Sequence, residues 1–301
     1  MKIEDPMASI ASMNFDHLIG KQVGTSVLLK ELARGGMGAI FIAYQKTLKR
    51  QIAVKILPKS LLTPVTAEFF RQEAEAAAIL SHPNIIPVYE VGDTGEFLFF
   101  TMQLVNGRSL EYYIKKAKKN ILPSRRALPV KSALNIMVQV LDALEFAHQQ
   151  GIIHRDVKPA NILMEKHTKR PILMDFGVAK VAKGPETTTS IILGTPGYMA
   201  PEQILEGDVD GRADIYAAGT MLFEMLSPEP LFPDVKSITQ LLKKKVKLKD
   251  QLFTRRPSDV NPALGREMDE IILKAVAYDP GKRYATCREF QERVKEYLKK
   301  L

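Results

Sequence analysis

The stretch His154–Met164, HRDVKPANILM, brings a carboxylate, an ammonium group and an amide within reach of one another. Asp156 and Asn161 lie five positions apart, near enough for one loop to present both. The carboxylate of Asp156 can accept a hydroxyl proton, the ammonium of Lys158 can offset charge on a phosphoryl group in transit, and the amide oxygen of Asn161 can ligate Mg²⁺. Pro159 stiffens the loop between them. Further on, Ile172–Gly177 reads ILMDFG and sets Asp175 at the end of a short apolar strand, before a flexible glycine. Mg²⁺ is a hard cation that takes oxygen ligands and keeps some water, so Asp175, Asn161 and phosphate oxygens make a coherent metal site. Either motif alone is compatible with an ordinary turn. Their order, with Gly194–Glu202 (GTPGYMAPE) downstream, is not what chance supplies.

Two upstream features suit the same chemistry. Leu32–Ile40, LARGGMGAI, places Gly35, Gly36 and Gly38 in a turn between strand-like runs. Glycines let backbone N–H groups approach phosphate without a Cβ in the way, although a glycine-rich hairpin can also be only a hairpin. Lys55 follows Ile52, Ala53 and Val54 in a strand, where alternation puts it on the face of Ala53. A lysine facing inward needs an anion, and Glu73 on a following helix can supply it. Lys55 would then hold phosphate oxygens while Glu73 orients its ammonium; the plain alternative is a surface lysine beside a surface glutamate.

The elements that must position these groups fall into two kinds. From Gly24 to Gln103 the pattern is strand-like, with apolar runs at Val27–Leu29, Ile40–Tyr44, Ile52–Leu57 and Phe97–Thr101. One helix interrupts them: Thr63 precedes Pro64, a good first-turn residue, and the helix runs to Leu80, before His82 and Pro83. After Gly107 the signal turns helical. Over Val130–Gln150, Leu134, Met137, Leu141 and Leu144 recur at helix spacing and Gly151 supplies a stop. A last helix starts at Thr286 with Glu289 three positions on, a capping box, and is expected to bury Phe290, Val294 and Leu298. The architecture implied is a β-rich lobe followed by a helical lobe, with the boundary near Gln103–Gly107 and a cleft that favours a ligand.

Composition sets outer bounds. A chain of 301 residues with 46% hydrophobic and 26% charged residues has the make-up of a folded globular protein. Cys287, the only cysteine, excludes an intramolecular disulfide and fits a reducing cytoplasm. Neither an apolar signal at Met1–Asn14 nor a run of about 18 apolar residues is found, so no transmembrane segment and no secretion are expected. The net charge of +9 lies partly in Lys115–Lys119 and Lys243–Lys249, both read as solvated helix faces. Without interleaved aromatics, nucleic-acid binding is disfavoured.

With these motifs in hand, the sequence resembles a eukaryotic-type (Hanks-type) protein kinase over about Leu28–Leu298, with wording most similar to the bacterial serine/threonine members. The resemblance implies an α+β, two-lobed protein-kinase fold, with a small β-rich N-lobe carrying one main helix and a larger, mostly α-helical C-lobe. Residues 1–23 are then an N-terminal extension and 24–301 the kinase domain, divided into N-lobe 24–102, hinge 103–107 and C-lobe 108–301. ATP would sit on Leu32, Ala33, Arg34, Gly35, Gly36, Met37, Gly38, Ala39 and Ile40, on Lys55, and on the adenine-binding hinge of Gln103 to Val105 behind Met102. The resemblance makes Lys55 the grip on the α- and β-phosphates, Glu73 its helix partner, Asp156 the catalytic base, and Asn161 and Asp175 the ligands of Mg²⁺, with Mn²⁺ as a substitute. Asp214 resembles the buried aspartate that steadies the catalytic loop, and Glu202 with Arg283 the pair that fixes the APE segment.

Lys158 and Thr195, in KPAN and GTPGYMAPE, resemble the serine/threonine rather than the tyrosine kinases, so the implied reaction is γ-phosphate transfer from Mg-ATP to Ser/Thr hydroxyls of proteins. One departure is Ala33, where the family's loop has its first glycine; a methyl there restricts φ and is expected to weaken nucleotide binding without abolishing it. Between Gly177 and Gly194, Thr187, Thr188, Thr189 and Ser190 can accept phosphate. Activating autophosphorylation is expected at Thr187 or Thr189, where the added charge can pair with Arg155. The expected partners are protein substrates and, for phosphorylation in trans, a homodimer; control would come through either. The competing readings are a catalytically silent scaffold of the same fold and a basic module for nucleic acid or lipid that depends on Lys243–Lys249.

Overall fold

Apolar runs spaced through the first third of the chain pair into one antiparallel sheet. Its strands are β1 (Gln22–Val23), β2 (Ser26–Gly35), β3 (Gly38–Gln45), β4 (Arg50–Pro58), β5 (Val88–Asp93) and β6 (Phe97–Gln103), in the order β1-β2-β3-β4-β6-β5. The computed structural model describes residues 14–35, 38–62, 64–176, 196–205, 207–232, 234–253 and 255–301. They divide into two units, one taking the chain to Ser81 together with Ile86–Asn106, the other His82–Ile85 together with Gly107–Leu301.

In the first unit β4 lies between β3 and β6, so Ile52–Leu57 is buried throughout instead of alternating. Leu28, Phe41, Val54, Ile56 and Phe99 share a core with Phe15, whose ring meets Phe41 edge-on at 6.3 Å. Helix α1 (Pro64–Ile79) packs on β5 and β6, with Phe70 5.1 Å from Phe100 between ring centroids. Gly38 has φ +131°, and a Cβ there would lie 1.9 Å from the Ile56 carbonyl oxygen. The sheet itself therefore requires this glycine, whatever the loop binds.

The second unit opens with β7 (Gly107–Ser109) and helices α2 (Leu110–Lys118) and α3 (Val130–Gln149). Strands β8 (Ile162–Glu165) and β9 (Pro171–Leu173) join β7 in a small sheet. The helices α4 (Pro201–Ile204), α5 (Arg212–Leu226), α6 (Ile238–Leu248), α7 (Pro257–Val260), α8 (Arg266–Ala275) and α9 (Cys287–Lys299) follow. From Ala213 to Leu226 every residue of α5 except Glu224 is buried, which makes it the central helix of this unit. It packs against α3 and α8, and α3 packs in turn against α9 and β9.

Four expectations need correction. Among the described helices, Pro123–Gln149 is long and apolar enough to cross a membrane by length and composition; the α3 part of it buries Leu134, Met137, Leu141 and Leu144 within the unit. The buried stripe of α9 is Phe290, Val294 and Tyr297, and Leu298 is only half-buried. Thr286 caps the Glu289 amide as expected, but the Glu289 carboxylate accepts from the Ala285 amide, one residue before the cap. Lys243–Lys249 is not a uniformly solvated face, because Lys245 is 1% exposed.

Helices α5 and α8 meet at Gly219, where a Cβ would fall 2.7 Å from Ala275 Cβ and 3.0 Å from Val276 Cγ1. Gly219→Val gains some helix propensity but overpacks this contact, and we expect a net loss of about 1–3 kcal/mol. Urea unfolding followed by circular dichroism would show the midpoint falling; an unchanged midpoint would mean that the helices can separate at no cost.

Candidate active site

In the first unit the Lys55 ammonium donates to Glu73 Oε1 at 2.5 Å, joining β4 to α1. Both side chains are nearly buried, at 11% and 9% exposure, so this is not the surface pair that sequence left open. Lys55 stands between Ile40 on β3 and Phe100 on β6, with its ammonium 5.6 Å from the Phe100 ring centroid. Removing either partner of a buried pair strands the other charge, so the ammonium has one well-defined place. Beside it, Ala33 pairs with Ile40, Arg34 with Ala39 and Gly35 with Gly38; Leu32 precedes them on β2. Arg34 is held by Glu31 at 2.5 Å. Gly36 and Met37 lie outside the described residues. Met102 is buried on β6, the Gln103 amide donates to the Pro87 carbonyl at 3.1 Å, and Val105 is half-buried after the strand ends.

In the second unit the loop from His154 to Asn161 hangs from one carboxylate. Asp214, in the first turn of α5, accepts the His154 amide at 2.8 Å and the Arg155 amide at 2.7 Å, and His148 Nε2 lies 2.8 Å from the same group. Arg155 has φ +62°, a left-handed conformation costing roughly 1–2 kcal/mol, which these charge-assisted bonds offset. The His154 ring reads the loop from inside: Nε2 meets the Met174 carbonyl at 3.1 Å and Nδ1 meets the Asp156 amide at 3.2 Å, which assigns the ring proton to Nε2. His154 also lies 4.6 Å from the Phe176 ring.

Asp156, Lys158 and Asn161 converge. Lys158 Nζ sits 2.8 Å from Asp156 Oδ2, and Asn161 Nδ2 donates to the Asp156 carbonyl and to its Oδ2, each at 3.0 Å. With its amide protons turned to Asp156, Asn161 offers its oxygen to a cation. The Asn161 carbonyl accepts the Met174 amide at 3.0 Å, which ties this loop to the segment carrying Asp175 (φ +56°). Strand β9 behind it is fixed by Asn84, whose carbonyl accepts the Leu173 amide at 2.8 Å and whose side chain donates to the Pro171 carbonyl at 2.7 Å. Among the described residues no cluster of three His, Cys, Asp or Glu side chains could cage a metal. An amide oxygen and one carboxylate do fit a hard cation that shares its shell with water and phosphate.

Arg283 forms the expected pair with Glu202, with two bonds of 2.7 and 2.8 Å, and also donates to the carbonyls of Ala277, Arg212 and Tyr278. Thr187, Thr189 and Thr195 lie outside the described residues. Three contributors were not foreseen. His148 braces Asp214; Gln203 receives the Ala200 amide at 2.9 Å and donates to the Arg155 carbonyl at 3.0 Å; and Lys245 donates to the carbonyls of Gly197 and Met199 at 2.7 and 2.6 Å. Only Gln203 left a trace in the sequence, as the residue that follows APE.

The family model for the protein kinase domain matches residues 26–295, and the chain belongs to that family. It is similar to serine/threonine-protein kinase Pkn1 of Myxococcus xanthus, 34% identical over 282 residues that cover 92% of this chain and 38% of that protein. It is 35% identical over 285 residues to serine/threonine-protein kinase PrkC of Bacillus subtilis, covering 92% and 41%. A solved structure, that of a point mutant of the PknI kinase domain of Mycobacterium tuberculosis, matches with a TM-score of 0.69 and 26% identity over 94% of this chain and 99% of that one. The chain spans about two fifths of the length of the curated relatives it matches. The fold is the two-lobed α+β protein-kinase fold, and the family works with ATP and a divalent metal.

Arg283 is fully enclosed and Glu202 nearly so, at 0% and 11% side-chain exposure. Arg283→Ala leaves the Glu202 carboxylate and three carbonyls without their donor, and we expect a loss of about 3–5 kcal/mol in denaturant unfolding. A loss under about 1 kcal/mol, the size of an exposed pair, would show that the cluster is plastic.

Proposed function

We propose that this chain is an ATP-dependent protein serine/threonine kinase, and the observation that carries the reading is the convergence of Lys158 and Asn161 on the Asp156 carboxylate. In this reading 24–301 is the kinase domain, with N-lobe 24–102, hinge 103–107 and C-lobe 108–301. Phosphoryl transfer demands little covalent work, so rate comes from orientation and from fixed charge. Asp156 orients the substrate hydroxyl and accepts its proton. Lys158, already on Asp156, neutralises charge on the transferring group. Lys55, fixed by Glu73, and the backbone of Leu32–Ile40 bind the nucleotide phosphates, while Gln103 to Val105 offer backbone groups to the base behind Met102. Asn161 and Asp175 would hold Mg²⁺, for which Mn²⁺ can substitute, and the bound cation supplies charge neutralisation at the phosphate oxygens.

The serine/threonine class rests on Lys158 and on the similarity to serine/threonine-protein kinases. Asp214, Arg155 and Gln203 act through the loop backbone, Glu202 and Arg283 through the segment before α5. Autophosphorylation at Thr187 or Thr189 activates the enzyme, in trans within a homodimer. The single buried Cys287, whose thiol burial pushes well above the usual range, suits a reducing cytoplasm.

The test is transfer of labelled γ-phosphate from Mg-ATP to the protein itself and to a generic basic protein. We expect phosphoserine and phosphothreonine only, label on the peptide containing Thr187 and Thr189, and a loss of about 10²-fold or more in Asp156→Asn. Undiminished transfer in that variant, or label on tyrosine, would overturn the assignment. No transfer from folded wild type would favour a silent scaffold.

A further inference from the structure

Lys245 stands in the middle of the most basic run of the chain, yet its side chain turns inward from α6 while Lys243 and Lys247 remain exposed. Its ammonium meets the Gly197 and Met199 carbonyls at 2.7 and 2.6 Å, leaving one N–H of three. It also lies 5.0 Å from the Tyr216 ring centroid and 6.0 Å from that of Phe232. A buried lysine is costly, and a methionine of similar length would fill the same space without a charge. The sequence spends that cost on two backbone carbonyls of one turn, a specific act of positioning.

The turn matters because of what adjoins it. Tyr198 donates its hydroxyl to Glu224, and Ala200 packs with Ala213, Tyr216 and Val276. Three residues further, Gln203 bonds the carbonyl of Arg155, next to Asp156. The turn is therefore anchored on one side to the reactive loop and on the other to Lys245.

We infer that Lys245 is a positioning residue for phosphoryl transfer, whose ammonium holds the Gly197–Met199 turn and, through Gln203 on the Arg155 carbonyl, the loop that carries Asp156. This deepens the kinase reading and rests on it. The charged and titratable neighbours are Arg283, Glu202 on α4 and Tyr216 on α5; Asp250, just after α6, acts on the Tyr216 hydroxyl and accepts the Tyr278 amide. Burial pushes the Lys245 ammonium down to about 7; Arg283 adds repulsion and Glu202 opposes both.

Two pH effects follow with opposite signs. As pH rises through about 7 the ammonium loses its charge, and the charge-assisted bonds to the turn weaken. Over the same rise the fold gains stability from this group, up to the 10.5 of the unfolded chain, because the folded state binds its proton less tightly. A lysine with a merely structural role would not lower substrate turnover while the fold strengthens.

The experiment compares wild type with Lys245→Met from pH 6 to 9, measuring kcat/KM for a protein substrate, KM for ATP, and urea stability. We expect wild-type kcat/KM to fall about tenfold across this range, the scale of a charge-assisted bond. Lys245→Met should sit at the low value throughout, with KM for ATP unchanged and without the wild-type rise in stability. Equal kcat/KM in the two proteins at pH 6, or a loss shared equally with KM for ATP, overturns the proposal. Hydrogen exchange of the Tyr198 and Met199 amides in wild type, corrected for intrinsic rates, reads the turn without relying on the variant or on activity. Protection that falls as pH rises through neutrality supports the staple even if no kinase activity is found, and constant protection sinks it.

Discussion

One buried carboxylate organises the chemistry of the second unit. Asp214 has two oxygens and accepts two consecutive backbone amides, those of His154 and Arg155, while His148 braces it from α3. That arrangement holds Arg155 in a left-handed conformation that its side chain disfavours. The next residue is Asp156, so the direction of its carboxylate is inherited from the helix on which Asp214 sits. Because α5 is enclosed along almost its whole length, that reference is rigid.

The same helix collects two buried cations. Arg283 lies 5.0 Å from the Tyr216 ring while gripping Glu202, and Lys245 approaches that ring at the same distance while gripping the Gly197–Met199 turn. Each cation is committed to carbonyls as well as to its ring or carboxylate. Such clusters contribute little net stability, since desolvation consumes most of the attraction, but their loss leaves groups unsatisfied and their geometry has few alternatives. In the first unit Lys55 and Glu73 form a buried pair between β4 and α1.

Much of this was legible in the sequence. The β-rich first third, the long α3, and the spacing of Asp156, Lys158, Asn161 and Asp175 follow from periodicity and from the oxygen chemistry of a hard cation. The glycine run was ambiguous for a reason now visible: Gly38 is demanded by the Ile56 carbonyl whether or not phosphate is bound. Lys245 was misread because charge runs on helices usually face water, although Leu241, one turn earlier on the same face of α6, is buried as well. His148 and Gln203 escaped because their partners lie 66 and 48 residues away in sequence. Apolar stripes announce themselves by period; long-range polar contacts to backbone do not.

On the kinase reading, nucleotide grip and transfer chemistry are built separately, the first on Lys55 and Glu73, the second on a loop fixed by Asp214. Asp214→Asn tests it directly, because the amide keeps the shape but turns an N–H toward a backbone donor. ATP affinity measured by calorimetry should stay within about threefold, while γ-phosphate transfer falls by about 10²-fold. Transfer at the wild-type rate from a stably folded Asp214→Asn protein would contradict the account.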